Sequence, residues 1–397
     1  MDAETRIDWS LLWRCGARIA IAACSLLGWP ALAGKPVAYV TNFDSGTVSI
    51  IDVGTLAATG SVAVGDGPIG VAFMPNGRFA YVANFRSATV SVIGTHTNTV
   101  VATVPINGAC NGVAVTPDGS GVYVTNTSPG TVAVINATTN AVDATIPVGA
   151  QPTDIAITPD GARVFVVNFG SDSVSVIDTQ RNREIGVIPL FLDQLDPVSP
   201  SHIAITSLGT AYVTSFFSDA VFAIETATGS ISDEFALYNA QPGAVAVAGD
   251  GLTAYIAGPA SGEVFAINTT TKAFINDPVG EDPEALALTP DGGFLFVTNA
   301  GSNDVSVINT DAVYVVATIP VAESPLGVAV AEVPAPCVGD CSGNGIVTVG
   351  DLVTGVNIAL GNLPLSACVS FDGNGDRRVT VDELLSAVNS ALQGCPR

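Results

Sequence analysis

Histidine is nearly absent, with His96 and His202 the only two in 397 residues. That scarcity argues against catalysis built on several histidine metal ligands. Basic side chains are few as well, 13 Lys and Arg against 36 Asp and Glu, for a formal charge of −23. Without a basic stripe to displace phosphate counterions, a nucleic-acid partner is excluded. Charged residues make up only 12% of the chain, about half the roughly 25% usual in globular proteins. A hydrophobic content of 48% and 41 glycines take their place. This is the composition of a turn-rich chain with a large core, not of an acidic disordered one. Beyond the N-terminus no stretch is apolar over the ~20 residues needed to cross a bilayer, so no transmembrane segment is expected in the mature chain.

Residues 1–33 read as a secretory signal peptide. Arg14 and Arg18 precede an uncharged stretch from Ile19 to Ala33, and Ala31-Leu32-Ala33 supplies the small-x-small cleavage pattern before Gly34. The stretch is broken by Pro30 and is too short for a membrane anchor. Ile21-Ala22-Ala23-Cys24 also resembles a lipobox, although it leaves few apolar residues after Arg18. An exported protein is expected, in the periplasm, at the cell surface or outside the cell.

Cysteine usage agrees with export. Cys15 and Cys24 lie in the signal and Cys110 stands alone, while Cys337, Cys341, Cys368 and Cys395 crowd into the C-terminal segment. Four cysteines there suggest two disulfides, with three connectivities open. Zinc is the weaker reading, because paired CxxC spacing is missing. Cys110 fills a slot taken by Pro68 and Pro152 in other repeats and reads as a small buried residue.

The chain repeats itself. Tyr39-Val40-Thr41-Asn42 returns in variants that start at Tyr81, Tyr123, Phe165, Tyr212, Tyr255 and Phe296. Each unit reads as four short strands. An apolar run such as Val113-Ala114-Val115 ends in a turn like Thr116-Pro117-Asp118-Gly119, the tetrapeptide strand follows, and two alternating strands complete the unit. Four-stranded units of ~40 residues are the propeller signature. The chain enters at the second strand of the first unit, and the missing inner strand appears at the other end as Leu326-Gly327-Val328-Ala329-Val330. A mainly β fold is therefore expected: a seven-bladed β-propeller over 34–334, closed by its C-terminal strand. These repeats resemble those of YVTN-family β-propellers, exported microbial proteins of this fold. The resemblance implies a binding platform. Related propellers include lactonases and oxidoreductases, but no catalytic motif is evident to carry over.

After Pro334 the pattern changes. Asp340, Ser342, Asn344, Ile346 (through its carbonyl), Thr348 and Asp351 fall at positions 1, 3, 5, 7, 9 and 12 of a calcium loop, with Gly345 at the bend. Asp372, Asn374, Asp376, Arg378, Thr380 and Glu383 repeat the set 32 residues later. Alternate positions of a tight loop point oxygens inward, as a hard cation requires. Arg377 sits where glycine normally bends the second loop, so strain is expected there. Each loop runs into an amphipathic helix. Residues 335–397 thus resemble a dockerin-type EF-hand pair, which implies two Ca2+ sites and a possible cohesin-like partner.

On the propeller, the residues just before each inner strand are Gly70, Gly112, Asp154, His202, Ala244, Ala285 and Gly327. Asp154 and His202 are the polar exceptions, and Phe43, Phe85, Phe169 and Phe216 follow the tetrapeptide strands. A ligand site with Asp154 and His202 as anchors and the Phe side chains as walls is one reading. The other is that the polar pair satisfies local backbone while the aromatics pack between blades. The expectation is an exported, calcium-binding interaction protein with no enzymatic activity, its propeller taking a protein or glycan at the cell envelope. A lactonase-like hydrolase acting on extracellular carbohydrate and a structural surface-layer component are the alternatives.

Overall fold

The β-branched tetrapeptide strands and their neighbours alternate with glycine turns, and they fold as antiparallel sheets rather than helices. The computed structural model describes residues 34–191, 198–237, 239–334, 337–341, 346–373, 377–393 and 395. The signal expected at 1–33 lies outside them. Among the described residues there are seven four-stranded sheets, and each carries one inner strand, one tetrapeptide strand and two more outward. In one blade these are Pro68–Phe73, Phe79–Asn84, Thr89–Gly94 and Thr99–Pro105. The two middle strands are buried almost throughout, because each blade's sheet is covered on both faces by its neighbours. The outermost strand alternates between solvent and core.

Burial between blades stabilises the ring. Phe165, Val167, Val174 and Val176 of one blade pack against Ala211, Val213, Phe222 and Ile224 of the next. Each such side chain contributes roughly 1.5–3 kcal/mol by leaving water. The ring closes as its sequence phase demands. Strand Pro325–Val333 pairs with Lys35–Asn42, bringing Ala329 opposite Tyr39 and Val328 opposite Val40. Closure removes the open edges that a half-finished sheet would expose.

Each position of the repeated tetrapeptide has a separate job. The Tyr123 hydroxyl donates to Asn182 Oδ1 in the following blade at 2.6 Å, and Tyr81 does the same to Asn140 at 3.2 Å. The Thr125 hydroxyl donates to the Thr153 carbonyl of the next inner strand at 2.9 Å, as Thr41 does to Ile69 and Thr214 to Gly243. The Asn168 amide donates to Ser173 and Ser175 across the following turn. The valine fills the core. The tetrapeptide is thus an inter-blade fastening.

The C-terminal segment holds two helices, α1 (Val349–Ala359) and α2 (Val381–Gln393). Cys337 pairs with Cys395 and Cys341 with Cys368, which selects one of the three connectivities. Phe371 is fully buried at the centre of this module with Cys368 and Ala387. Gly355 is required in α1 because a Cβ there would stand 2.3 Å from the Phe371 ring. Among the described residues no helix is long and apolar enough to cross a membrane.

Candidate functional site

The inner strands do not run in simple register. Between Pro152 and Ile155, and between Pro200 and Ile203, the inner strand carries one residue more than its partner, and a bulge recurs at Pro68, Cys110 and Pro283. A bulge leaves residues unpaired and re-aims their side chains. Here they turn toward the axis. The result is a cavity of about 580 Å³ lined by the start of every inner strand.

The cavity is not symmetric. A Cβ on Gly327 would meet the Ile69 carbonyl oxygen at 2.0 Å, one on Gly70 the Asn111 oxygen at 2.3 Å, and one on Gly112 the Thr153 oxygen at 2.8 Å. On that side the strands approach so closely that only glycine fits. Asp154, His202, Ala244 and Ala285 hold the equivalent places on the remaining blades, where a side chain has room. Glycine at positions 70, 112 and 327 is therefore a packing requirement on one side of the ring.

Asp154 is deep in the molecule, with both carboxylate oxygens engaged. Oδ1 accepts from Ile155 N at 2.8 Å and Oδ2 from Ile203 N at 3.0 Å. Burial pushes its pKa up, against the opposing influence of His202 and these two N–H donors. In this blade Val167 stands where four of the other six repeats have threonine, and Asp154 supplies part of the missing tie to the next blade. His202 faces the same cavity, and its Nδ1 is buried without a hydrogen-bond partner. Glu284 lines the cavity too, and burial raises its pKa, offset by His202 and reinforced by Asp282. The charge of His202 is felt by both carboxylates, so the three groups form one electrostatic unit.

Phe169 and Phe216 line the same cavity, joined by Phe217, whose ring lies 6.2 Å from Phe169 and 5.2 Å from Phe216. Phe43 and Phe85 stand elsewhere. They pack against each other at 6.5 Å, with the Arg86 guanidinium 4.1 Å over the Phe43 ring. Sequence reading missed Glu284 and Phe217. Glu284 was passed over because one residue per strand was aligned, which put Ala285 in the slot, whereas the bulge turns two residues inward. The Pro283-Glu284 pair after the turn Gly280-Glu281-Asp282 was the available signal. Cys110 is buried, donates to the Asn84 and Thr89 carbonyls, and has its pKa raised to about 11 by burial, so it stays a thiol.

In the C-terminal module, Ser342, Asn344, Asn374 and Asp376 lie outside the described residues. Asp351 Oδ2 accepts from the Thr348 backbone and hydroxyl and caps α1. Asp372 Oδ2 accepts from Arg377 N at 2.8 Å, and Arg377 takes the left-handed φ of 66° expected at the bend. Glu383 Oε2 accepts from Thr380 N and Oε1 from Gly373 N. Among the described residues Asp372 Oδ1 is buried with no partner. Asp340 is buried, the Ile346 side chain is exposed, and Arg378 and Thr380 follow the bend. Among the described residues no three His, Cys, Asp or Glu side chains converge as a metal site.

The family model described as "Lactonase, 7-bladed beta-propeller" matches residues 38–204. No curated protein matches the chain. Among solved structures, the periplasmic gluconolactonase PpgL of Pseudomonas aeruginosa superposes with TM-score 0.62 at 19% identity, covering 75% of this chain and 99% of its own. A Bacteroides uniformis protein named as a 6-phosphogluconolactonase gives 0.64 at 18%, covering 75% and 100%. Hydrazine synthase of Kuenenia stuttgartiensis gives 0.61 at 21%, covering 66% and 89%. At these identities the likeness shows the fold, which hosts more than one chemistry. The expectation of a chain without enzymatic activity is nevertheless corrected. The lactonase family model, and neighbours named as lactonases, point to a hydrolase. Strand packing accounts for Gly70, Gly112 and Gly327, and Glu284 adds a carboxyl group beside Ala285.

Proposed function

We propose that the propeller is an exported hydrolase that opens lactones at the mouth of its central channel. The observation that carries this reading is the grouping of His202, Glu284 and Asp154 in one cavity, in a chain whose first blades match a lactonase model. Hydrolysis needs a base to take a proton from water and an acid to protonate the departing ring oxygen. His202 in its neutral form is the base. Water oxygen adds to the lactone carbonyl carbon, the ring C–O bond breaks, and Glu284, whose pKa burial raises, passes its proton to that oxygen. The product is an open hydroxy acid. Asp154 is a positioning residue, since its carboxylate fastens the strand that carries His202. The phenylalanines cover one side of the cavity and limit water.

The test is proton release from a lactone above its spontaneous rate, followed with a pH indicator for the mature chain. His202→Ala should lower kcat by about 10²–10⁴-fold, the usual worth of a general base. Unchanged turnover in that variant would remove the assignment.

The C-terminal module supports a second reading, of a calcium-ordered docking piece. Asp372 Oδ1, buried and without a partner, and the left-handed Arg377 are what a cation loop needs before its ion arrives. Asp372 and Glu383 of the second loop, and Asp340 of the first, would hold calcium, which supplies the positive charge that lets these carboxylates stay close. Val349, Val353, Val356 and Leu360 on α1 are exposed, and so are Val381, Leu385, Val388 and Leu392 on α2, each 32 residues later. Such matching stripes suit a protein partner at the cell envelope. Calorimetric titration with Ca2+ should show binding that Glu383→Ala weakens. No heat of binding in the intact chain would exclude the ion.

A further inference from the structure

Ile69 and Leu326 form an aliphatic pair on adjacent inner strands, each at the first inward-turned position, and Glu284 holds that position on the other strand beside Leu326. His202 and Asp154 stand on the far strands. Among the described residues the lining contains no Lys or Arg. We propose that the ligand of this cavity is an uncharged lactone bearing an aliphatic substituent, and that phosphorylated lactones are rejected.

The reasons are chemical. A phosphate dianion leaving water requires guanidinium, ammonium or a fan of backbone N–H groups to replace its hydration. Here the single group able to become cationic is His202, and it is already shared between two carboxylates. The net charge of −23 adds a field that keeps anions away. On the opposite side, Ile69 and Leu326 are only partly buried and turn their free surface to the cavity. An alkyl group lying there removes two aliphatic surfaces from water, while the ester carbonyl meets the polar side. Phe169, Phe216 and Phe217 add aromatic surface to the lining. The arrangement fits a ligand with one polar end and one apolar end, and it gives a sugar phosphate nothing to hold.

This inference rests on the hydrolase reading, and the experiment separates the two. The mature protein is assayed by pH-stat with δ-decanolactone, glucono-δ-lactone and 6-phosphoglucono-δ-lactone, each corrected for spontaneous opening. Binding of the same three probes is measured in parallel by calorimetry on Glu284→Gln. The expected order of kcat/KM is decanolactone first and the phosphorylated lactone last, about tenfold or more below glucono-δ-lactone. Ile69→Asn combined with Leu326→Asn should remove the advantage of decanolactone over glucono-δ-lactone, and an undiminished advantage overturns the inference. Equal or better turnover of the phosphorylated probe overturns the inference and leaves the hydrolase standing, as does a preference for glucono-δ-lactone over decanolactone. No turnover with the expected binding order sinks the hydrolase reading alone. Neither turnover nor binding sinks both.

Discussion

Asp154 Oδ2 accepts the backbone N–H of Ile203 at 3.0 Å, so the carboxylate of one blade is fastened to the residue after His202 in the next. Its other oxygen holds Ile155 N. Two acceptors are needed, and an amide has one. Asp154→Asn should therefore leave an NH₂ group facing an N–H and cost about 1–3 kcal/mol of stability, read from urea unfolding. Lactone turnover should fall about tenfold or more as His202 loses its seat. A variant as stable as the parent would show that the tie carries no energy.

The pH dependence follows from Glu284. Burial raises its pKa above the ordinary 4.5, so the folded chain holds this proton more tightly than the unfolded one. Its contribution to stability is full at low pH and is lost as pH climbs from 4.5 through the raised value. Glu284→Gln mimics the protonated form at every pH. The variant should match the parent in acid and exceed it in Tm once the pH has passed the raised value. As the proton donor disappears, its turnover should fall and lose the alkaline limb of the parent's pH profile. A Tm difference that does not change with pH would contradict the shift.

Glycine at the channel is a demand of strand spacing, not of an open pore. Gly327→Ala would set a Cβ 2.0 Å from the Ile69 carbonyl oxygen, a backbone atom that cannot swing aside. A loss of about 1–3 kcal/mol is expected, together with loosening of the ring closure visible as faster amide exchange in strand Pro325–Val333. Gly60, whose Cβ would meet nothing within 4 Å, is the control, and Gly60→Ala should be far milder.

Between blades, the Tyr123 hydroxyl donates to Asn182, and Asn182 holds a left-handed φ of 46° that asparagine tolerates well. Tyr123→Phe should cost about 1 kcal/mol in chemical denaturation, because it leaves the Asn182 carbonyl to find water. The loss should be roughly equal to that of Tyr81→Phe, since both tyrosines make the same contact one blade apart.

The architecture was legible because it is written locally and repeated. Tetrapeptides near position 40 and every ~40 residues afterwards mark strands through β-branched alternation, and the out-of-phase ends required Pro325–Val333 to complete the first blade. The cysteine cluster announced two disulfides but not their pairing. Arg377 in a glycine's place announced a left-handed residue. His202 and Asp154 stood out as polar exceptions in a row of small residues. What no reading along one strand could supply was the bulge, which depends on how the inner strand pairs with its neighbour and which turns Glu284 inward beside them. Phe43 and Phe85 obey the same sequence rule as Phe169 and Phe216, yet pack against each other, with Arg86 over Phe43, instead of lining the cavity. That choice is made by side chains from separate blades, brought together only when the ring closes. Local propensity and periodicity thus determined the blades and their number, and tertiary contact decided which residues share the site.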